Sequence, residues 1–203
     1  MRPQCASTPA ALILAAGMGR RLGRGPKAFV RMQGETLLQR AYERLRRVDV
    51  HRVWAVLPPP PDPCALPRGL HVLRNPDPDS GQLGSLLLAL DTIDDSLDSL
   101  ILYPVDHYAV DDDDLLRLIA ARQTCAPEVA RILPQWRGKR GHPLLILPPA
   151  LKRLRALEEE GTTHLRDVLR AAGPALTVQA HGPGVGVNLN SEADWPEGID
   201  PLT

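Results

Sequence analysis

The residues with the most to offer chemically lie together near the start of the chain: Leu14-Ala15-Ala16-Gly17-Met18-Gly19-Arg20-Arg21-Leu22-Gly23-Arg24-Gly25-Pro26-Lys27. Small residues let a backbone approach a phosphate closely, and the N–H groups of such a loop can converge on an anion. Arg20, Arg21, Arg24 and Lys27 add mobile positive charge suited to a polyphosphate, whose leaving pyrophosphate gathers negative charge during transfer. The spacing separates this loop from two other phosphate-binding loops. A nicotinamide-binding Gly-x-Gly-x-x-Gly would need glycine where Leu22 stands, and no acidic residue follows a second strand to hold a ribose. A Walker loop would need Gly-Lys-Ser/Thr, whereas Lys27 lies between Pro26 and Ala28.

Asp106 is the second candidate. It ends the apolar run 100–105 (LILYPV), so it sits where a buried strand delivers a side chain to the ligand edge of a sheet. Mg²⁺ takes oxygen ligands, commonly one or two carboxylates completed by substrate phosphates and water, and Asp106 suits that role. The run Asp111-Asp112-Asp113-Asp114 is read differently, as the cap of a helix that begins with Leu115 and Leu116, where carboxylates meet the positive helix end. His107 is read as a packing or hydrogen-bonding residue. His142, in Gly141-His142-Pro143, either faces an acceptor or merely belongs to a turn that returns one strand to the next. The same two readings hold for Arg137, Lys139 and Arg140. Thr162, Thr163 and Arg166 either hold a phosphate at a helix start or supply an ordinary N-cap.

These groups need elements to position them. Residues 10–15 (AALILA) form a buried strand opening straight into the glycine-rich loop. Helical spacing of Leu37, Leu38, Ala41, Leu45 and Val48 predicts a helix over 36–47, followed by buried strands over 53–57 and 71–74. A helix beginning near Ser80 and the strand 100–105 come next, then the Asp-capped helix. Residues 129–133 and 144–147 read as a hairpin, followed by helices from Pro149 and over 162–171 and by short strands over 176–179 and 186–189. Strands alternating with helices predict an α/β three-layer sandwich with a mostly parallel, Rossmann-like central sheet, whose ligands bind at the carboxyl ends of the strands.

With 203 residues, 43% hydrophobic and 24% charged, the chain is expected to form one domain over 10–203, preceded by a disordered tail over 1–9. No apolar run approaches the roughly 18 residues of a membrane span, and the first residues lack the apolar core of a secretory signal, so a cytoplasmic location is expected. Cys5, Cys64 and Cys125 are odd in number and widely spaced, which disfavours a disulfide framework or a zinc site. A net charge of zero argues against nucleic acid or an anionic membrane as partner. The charge is nevertheless uneven. Residues 1–52 hold 11 Lys/Arg against 3 Asp/Glu, and residues 53–114 hold 2 against 12, which reads either as two solvated faces that attract each other or as a basic phosphate-binding segment brought close to metal-binding carboxylates.

Gly17-Met18-Gly19-x-Arg21-Leu22 with Pro26-Lys27 resembles the signature loop of the NTP transferase superfamily that activates sugars, methylerythritol phosphate and molybdopterin. Asn75-Pro76, Gly84-Ser85-Leu86, the stretch 138–143 (GKRGHP) and Val187-Asn188-Leu189-Asn190-Ser191-Glu192-Ala193-Asp194 resemble the molybdenum cofactor nucleotidyltransferases, the MobA/MocA-like family. The resemblance implies the nucleotide-diphospho-sugar transferase type of fold. It implies transfer of a nucleoside monophosphate from an NTP to a phosphorylated acceptor such as molybdopterin or molybdenum cofactor, with Mg²⁺ and release of pyrophosphate. A molybdoenzyme or cofactor-delivery protein would be a partner.

Carried over residue by residue, Gly17, Gly19, Arg21 and Lys27 would bind the triphosphate within the loop from Leu14, Ala15 and Ala16 through Met18 and Arg20. Asp106 would hold the metal with Asn190, or with Asn188 two residues earlier. Gly81, Ser85 and Asn75 would lie near base and ribose. Leu-Ala-Ala-Gly resembles the cytidylyl-transferring members more than the guanylyl-transferring ones, so CTP is expected over GTP. The His-Asp-Ala-Ala-Arg-Pro stretch of the isoprenoid cytidylyltransferases is absent around Asp106, where His107-Tyr108 follow instead. Two rival readings follow: a sugar-phosphate or other alcohol-phosphate nucleotidyltransferase, and a nucleotide-binding protein that has lost turnover.

Overall fold

The computed structural model describes residues 8–94, 96–156 and 164–196. The first strand, β1 (Ala10–Leu14), buries all five residues, and they divide by alternation: Ala11 and Ile13 enter one core, Ala10, Leu12 and Leu14 the other. A strand with apolar neighbours on both faces must lie between two layers of helix. The chain continues through a two-strand ribbon, β2 (Arg31–Met32) and β3 (Glu35–Thr36), into helix α1 (Leu37–Arg47). Then come β4 (Val53–Leu57), β5 (His71–Arg74), α2 (Gly81–Leu90), β6 (Leu100–Pro104) and α3 (Asp112–Arg122). The second half holds β7 (Arg131–Trp136), β8 (Lys139–Arg140), β9 (Leu144–Ile146), α4 (Pro148–Arg155), α5 (Leu165–Ala171) and β10 (Ala175–Gln179).

Side chains of α1 and α3 close the first core, with Leu38, Leu45, Leu115 and Leu118 buried there. Leu86, Leu90, Leu151, Leu154, Val168 and Leu169 from α2, α4 and α5 close the second. The three-layer α/β sandwich is therefore observed as expected. The main sheet runs β10-β7-β9-β6-β1-β4-β5, with β8 on β7. β6, β1, β4 and β5 are parallel neighbours, and β9 lies antiparallel to both its neighbours, between β6 and β7. The chain moves outward from β1 to β4 and β5, then crosses back so that β6 pairs with the other side of β1. That reversal puts the loops after β1 and β6 side by side, which is where open α/β sheets bind ligands.

Helix starts follow the capping chemistry of the sequence. Thr36 and Gln39 form a capping box on α1, and Asp111 and Asp114 form one on α3, as the acidic run implied. Asp112 leaves the cap to bind Arg44 at 3.1 Å and Arg47 at 2.6 Å, which ties α3 to α1. Two features depart from the sequence expectation. The ribbon β2–β3 is too short to show periodicity; it turns on Gln33 (φ 55°) and Gly34 (φ 82°), the paired positive φ values of a tight hairpin. Residues 186–189 are not a strand. Pro183–Gly186 is a short 3-10 turn, and the segment makes single bonds rather than a ladder: His142 N–H donates to Val185 C=O, and Leu189 N–H to Asp106 C=O. Thr162, Thr163 and residues 1–7 of the expected tail lie outside the described residues. Of the remainder of that tail, Pro9 is buried.

Candidate active site

β1 ends at Leu14, and the chain turns at once into a loop that folds back on itself. Lys27 N–H donates to Gly17 C=O at 3.1 Å, and Leu22 and Gly23 N–H both donate to Gly19 C=O. Gly19 has φ +62°, and a Cβ there would stand 2.0 Å from Gly25 O, so only glycine allows the two limbs of the loop to touch. Among the described residues, the backbone N–H groups of residues 16–21 donate to no protein acceptor. They remain available for an anion.

The loop forms one wall of a cleft of about 310 Å³. Leu14, Ala16, Gly17, Met18, Gly19, Arg20, Arg21 and Lys27 line it from β1 and its loop, Gly81, Gln82 and Ser85 from the start of α2, and Asp106 and Asn190 from the opposite side. The helix end carries no carboxylate in its first turn, so its partial positive charge also faces the cleft. Arg20 reaches Asp79 at 3.4 Å across the cleft mouth, with both side chains 74% exposed. Arg21 is exposed and has no side-chain partner among the described residues. Arg24, by contrast, is not the mobile charge the sequence suggested: it donates to Glu192 at 2.9 Å and lies 5.3 Å over the Trp195 ring, tying the loop to the last turn.

At the floor, Lys27 Nζ donates to Asp106 Oδ2 at 2.6 Å and to Asn190 Oδ1 at 2.9 Å. The side chains of Lys27 and Asp106 are only 14% and 18% exposed. Asn190 is brought there by backbone geometry: Leu189 N–H bonds Asp106 C=O, and a capping box of Ser191 and Asp194 fixes the turn that follows. Two oxygens, one charged and one an amide, thus converge on a single cation. A hard divalent ion that keeps several waters and takes its remaining ligands from phosphates suits this donor set. Among the described residues, no cluster of three or more His, Cys, Asp or Glu side chains forms a protein-only metal cage.

Four predicted site residues fall elsewhere. Ala15 lines no cleft; it is fully buried in the first core behind the loop, with its N–H on Val56 C=O. Asn75 is 4% exposed and does not line the cleft: its Nδ2 donates to Ser80 and Ser85 hydroxyls while its Oδ1 accepts from Asp77 N–H, holding the turn ahead of α2. Asn188 is half-buried off the cleft, so of the two asparagines only Asn190 shares Lys27 Nζ with Asp106. His142 also lies outside the cleft, packed against His107 with ring centroids 4.8 Å apart. Gly141 lets the chain pass close to Val185, whose C=O accepts from His142 N–H, since a Cβ at 141 would meet Val185 O at 2.2 Å. Burial lowers the pKa of both rings, His142 to about 4, so each is neutral near pH 7. Gln82 was missed as a named candidate, although it lies one helical turn before Ser85 on the same face.

A glycine-rich loop after β1, a carboxylate after the adjacent parallel strand and a helix start closing the cleft, on a central mostly parallel sheet, match a transferase fold of the nucleotide-diphospho-sugar type. Residues 11–177 match the MobA-like NTP transferase domain, and the chain belongs to that family. It is 49% identical over 59 residues to the 2-C-methyl-D-erythritol 4-phosphate cytidylyltransferase of Thermus thermophilus, a match spanning 29% of this chain and 25% of that protein. The solved structure of the Thermus thermophilus enzyme superposes with a TM-score of 0.66 at 20% identity, covering 93% of this chain and 95% of that one. A mycobacterial homologue of Rv0371c, from strain JC1, superposes with a TM-score of 0.75 at 19% identity over 92% of each chain. Rv0371c of Mycobacterium tuberculosis, solved with manganese, gives a TM-score of 0.66 at 16% identity over 93% of this chain and 96% of that one.

Proposed function

We propose that this protein transfers a nucleoside monophosphate from an NTP, CTP first, to a phosphorylated small molecule and releases pyrophosphate in a Mg²⁺-dependent reaction. The observation that carries the reading is the convergence of Lys27 Nζ, Asp106 Oδ2 and Asn190 Oδ1 in a cleft lined by a glycine-rich loop whose N–H groups of residues 16–21 donate to no acceptor among the described residues. The loop N–H groups, Arg21 and Lys27 hold the triphosphate, and Lys27 takes up the charge that builds on the leaving pyrophosphate. Asp106 and Asn190 would hold the Mg²⁺, whose chemistry is to neutralise the α-phosphate and align it for in-line attack. No general base is required, because an acceptor phosphate is already an anionic nucleophile. That a protein of the same fold was solved in complex with manganese supports the use of a divalent ion.

CTP is favoured by Leu14-Ala15-Ala16-Gly17 and by the cytidylyltransferase relatives. Those relatives favour a polyol phosphate as acceptor, while the MobA-like family match and the carboxyl-terminal Asn-x-Asn stretch favour molybdopterin. The test is pyrophosphate release from CTP, GTP, UTP and ATP with Mg²⁺, against acceptors including methylerythritol phosphate and molybdopterin, repeated with Asp106→Ala. Acceptor-dependent release from one nucleotide, lost in the variant, is the expected result. Tight nucleotide binding without release from any pairing would favour a binding protein instead.

A further inference from the structure

Beside the nucleotide cleft lies a second cavity of about 270 Å³. Gln82 lines both, and His142, which packs on His107 next to Asp106, lines the second. Its other polar lining consists of four arginines drawn from three elements: Arg131 of β7, Arg140 of β8, and Arg166 and Arg170 of α5. Among the described residues, no carboxylate lines it. Arg131 forms the floor, 8% exposed, with Nη1 donating to the backbone carbonyls of Leu169 and of Gly173. Its charge is thus hydrogen-bonded and, among the described residues, is not paired with a carboxylate, and its pKa is lowered by burial and by the like charges of Arg140 and Arg170. Arg166 and Arg170 each stand 3.7 Å from Asp167, an exposed carboxylate outside the cavity lining. The Nδ1 atom of His142 is buried and has no protein partner among the described residues. Like charges gathered around a concave site raise the local anion concentration and repel one another until an anion is bound.

We propose that this cavity seats an oxyanion of the acceptor, a phosphate or carboxylate group, on Arg140, Arg166 and Arg170 above the Arg131 floor. Assigning the anion to the acceptor rests on the transferase reading; the cationic cavity does not. If the nucleophile at Asp106 is itself a phosphate, the acceptor is a molecule with at least two anionic groups, one at each end of the path past Gln82.

Inorganic phosphate and succinate are titrated calorimetrically into wild-type protein, Arg140→Ala/Arg170→Ala and Arg21→Ala, with and without saturating CTP. Phosphate binding that survives CTP and Arg21→Ala but weakens at least tenfold in the double variant is expected, and succinate separates a phosphate site from a general carboxylate site. In the pyrophosphate assay the double variant should raise KM for acceptor about tenfold and leave KM for CTP within twofold. Absent phosphate binding, or binding lost to CTP or Arg21→Ala and kept in the double variant, overturns the cavity while leaving the transferase intact. Phosphate binding at the arginines with no change in acceptor KM overturns the acceptor assignment. Binding at the arginines in a protein that releases no pyrophosphate with any acceptor overturns that assignment together with the transferase reading.

Discussion

Replacing Lys27 by Met keeps most of its apolar stem and removes the one cation seen between Asp106 and Asn190 among the described residues. The variant then holds a carboxylate 18% exposed, facing an amide oxygen, with no positive partner in contact. Removing one partner of a fully buried pair costs about 3–5 kcal/mol, and the water that reaches this pair reduces the expected loss to roughly 2 kcal/mol. For a domain of this size that is a fall in Tm of about 4–8 °C. Adding Asp106→Asn removes the orphan charge, so the double variant should recover at least about 1 kcal/mol relative to Lys27→Met alone, a coupling outside the usual scatter of independent sites. Activity follows a different course: both variants should lose about 10²–10³ in kcat, the usual loss for one donor to a developing anion. Thermal melts of the four proteins in the cycle, with pyrophosphate release on the same samples, decide the matter. A Lys27→Met protein that melts within about 1 °C of wild type, a double variant no more stable than it, or turnover kept within about threefold would refute the reasoning.

Gly19→Ala places a methyl group 2.0 Å from Gly25 O at a φ of +62°, so the loop must open. Because the strain falls on a surface loop, we expect KM for the NTP to rise at least about tenfold while the Tm falls by only a few degrees, which steady-state kinetics and a melt would show together. Asp112 has its pKa lowered first by the hydrogen bond from Arg47. A depressed carboxylate stabilises above its unfolded value and loses that stabilisation as pH falls through the native one. Asp112→Asn should therefore cost about 1 kcal/mol in urea melts at about pH 7, and the gap to wild type should shrink as pH falls below the unfolded value of 3.8; a gap independent of pH would contradict this. His142 has its pKa lowered by burial from 6.5 to about 4, so between those two values the unfolded chain takes up a proton that the native chain does not. Stability should fall across that window, and His142→Gln should flatten part of the slope, by at most about 3 kcal/mol, leaving the share that His107 contributes. An unchanged slope would mean that the ring is solvated in the native state.

The fold was legible because each main strand is a short apolar run closed by turn residues, and the helices after β3 and β6 carry their own caps. Thr36 with Gln39 and Asp111 with Asp114 fix those starts by chemistry confined to four residues. The cleft was legible for a related reason: β1 and β6 are adjacent parallel strands, so a loop and a carboxylate read separately as strand ends must meet at one edge of the sheet. What escaped depends on contacts with no local pattern. Asn190 reaches Lys27 across 163 residues through one backbone bond from Leu189 to Asp106, and only a family resemblance singled it out. The same resemblance offered Asn75 as a neighbour of base or ribose, whereas its place in the structure, a buried amide bonded to two hydroxyls and a backbone N–H, leaves no trace in the letters.

The arginine cavity marks the limit most sharply. In the sequence, Arg140 reads as a phosphate ligand or as part of a solvated turn, and Arg166 lies in a helix start for which an ordinary Thr N-cap is the preferred reading over a phosphate site. Neither alternative can be settled locally, since a single surface arginine is ordinary in either setting. It is the antiparallel insertion of β9 between β6 and β7, with α5 packed over the same face, that brings β7, β8 and α5 around one space beside Gln82. Four like charges cost free energy when gathered, and the fold gathers them near Asp106 with no carboxylate among the described residues that line the space. An anion supplied by a substrate would provide the missing compensation, which makes acceptor affinity, rather than nucleotide affinity, the quantity these arginines should control.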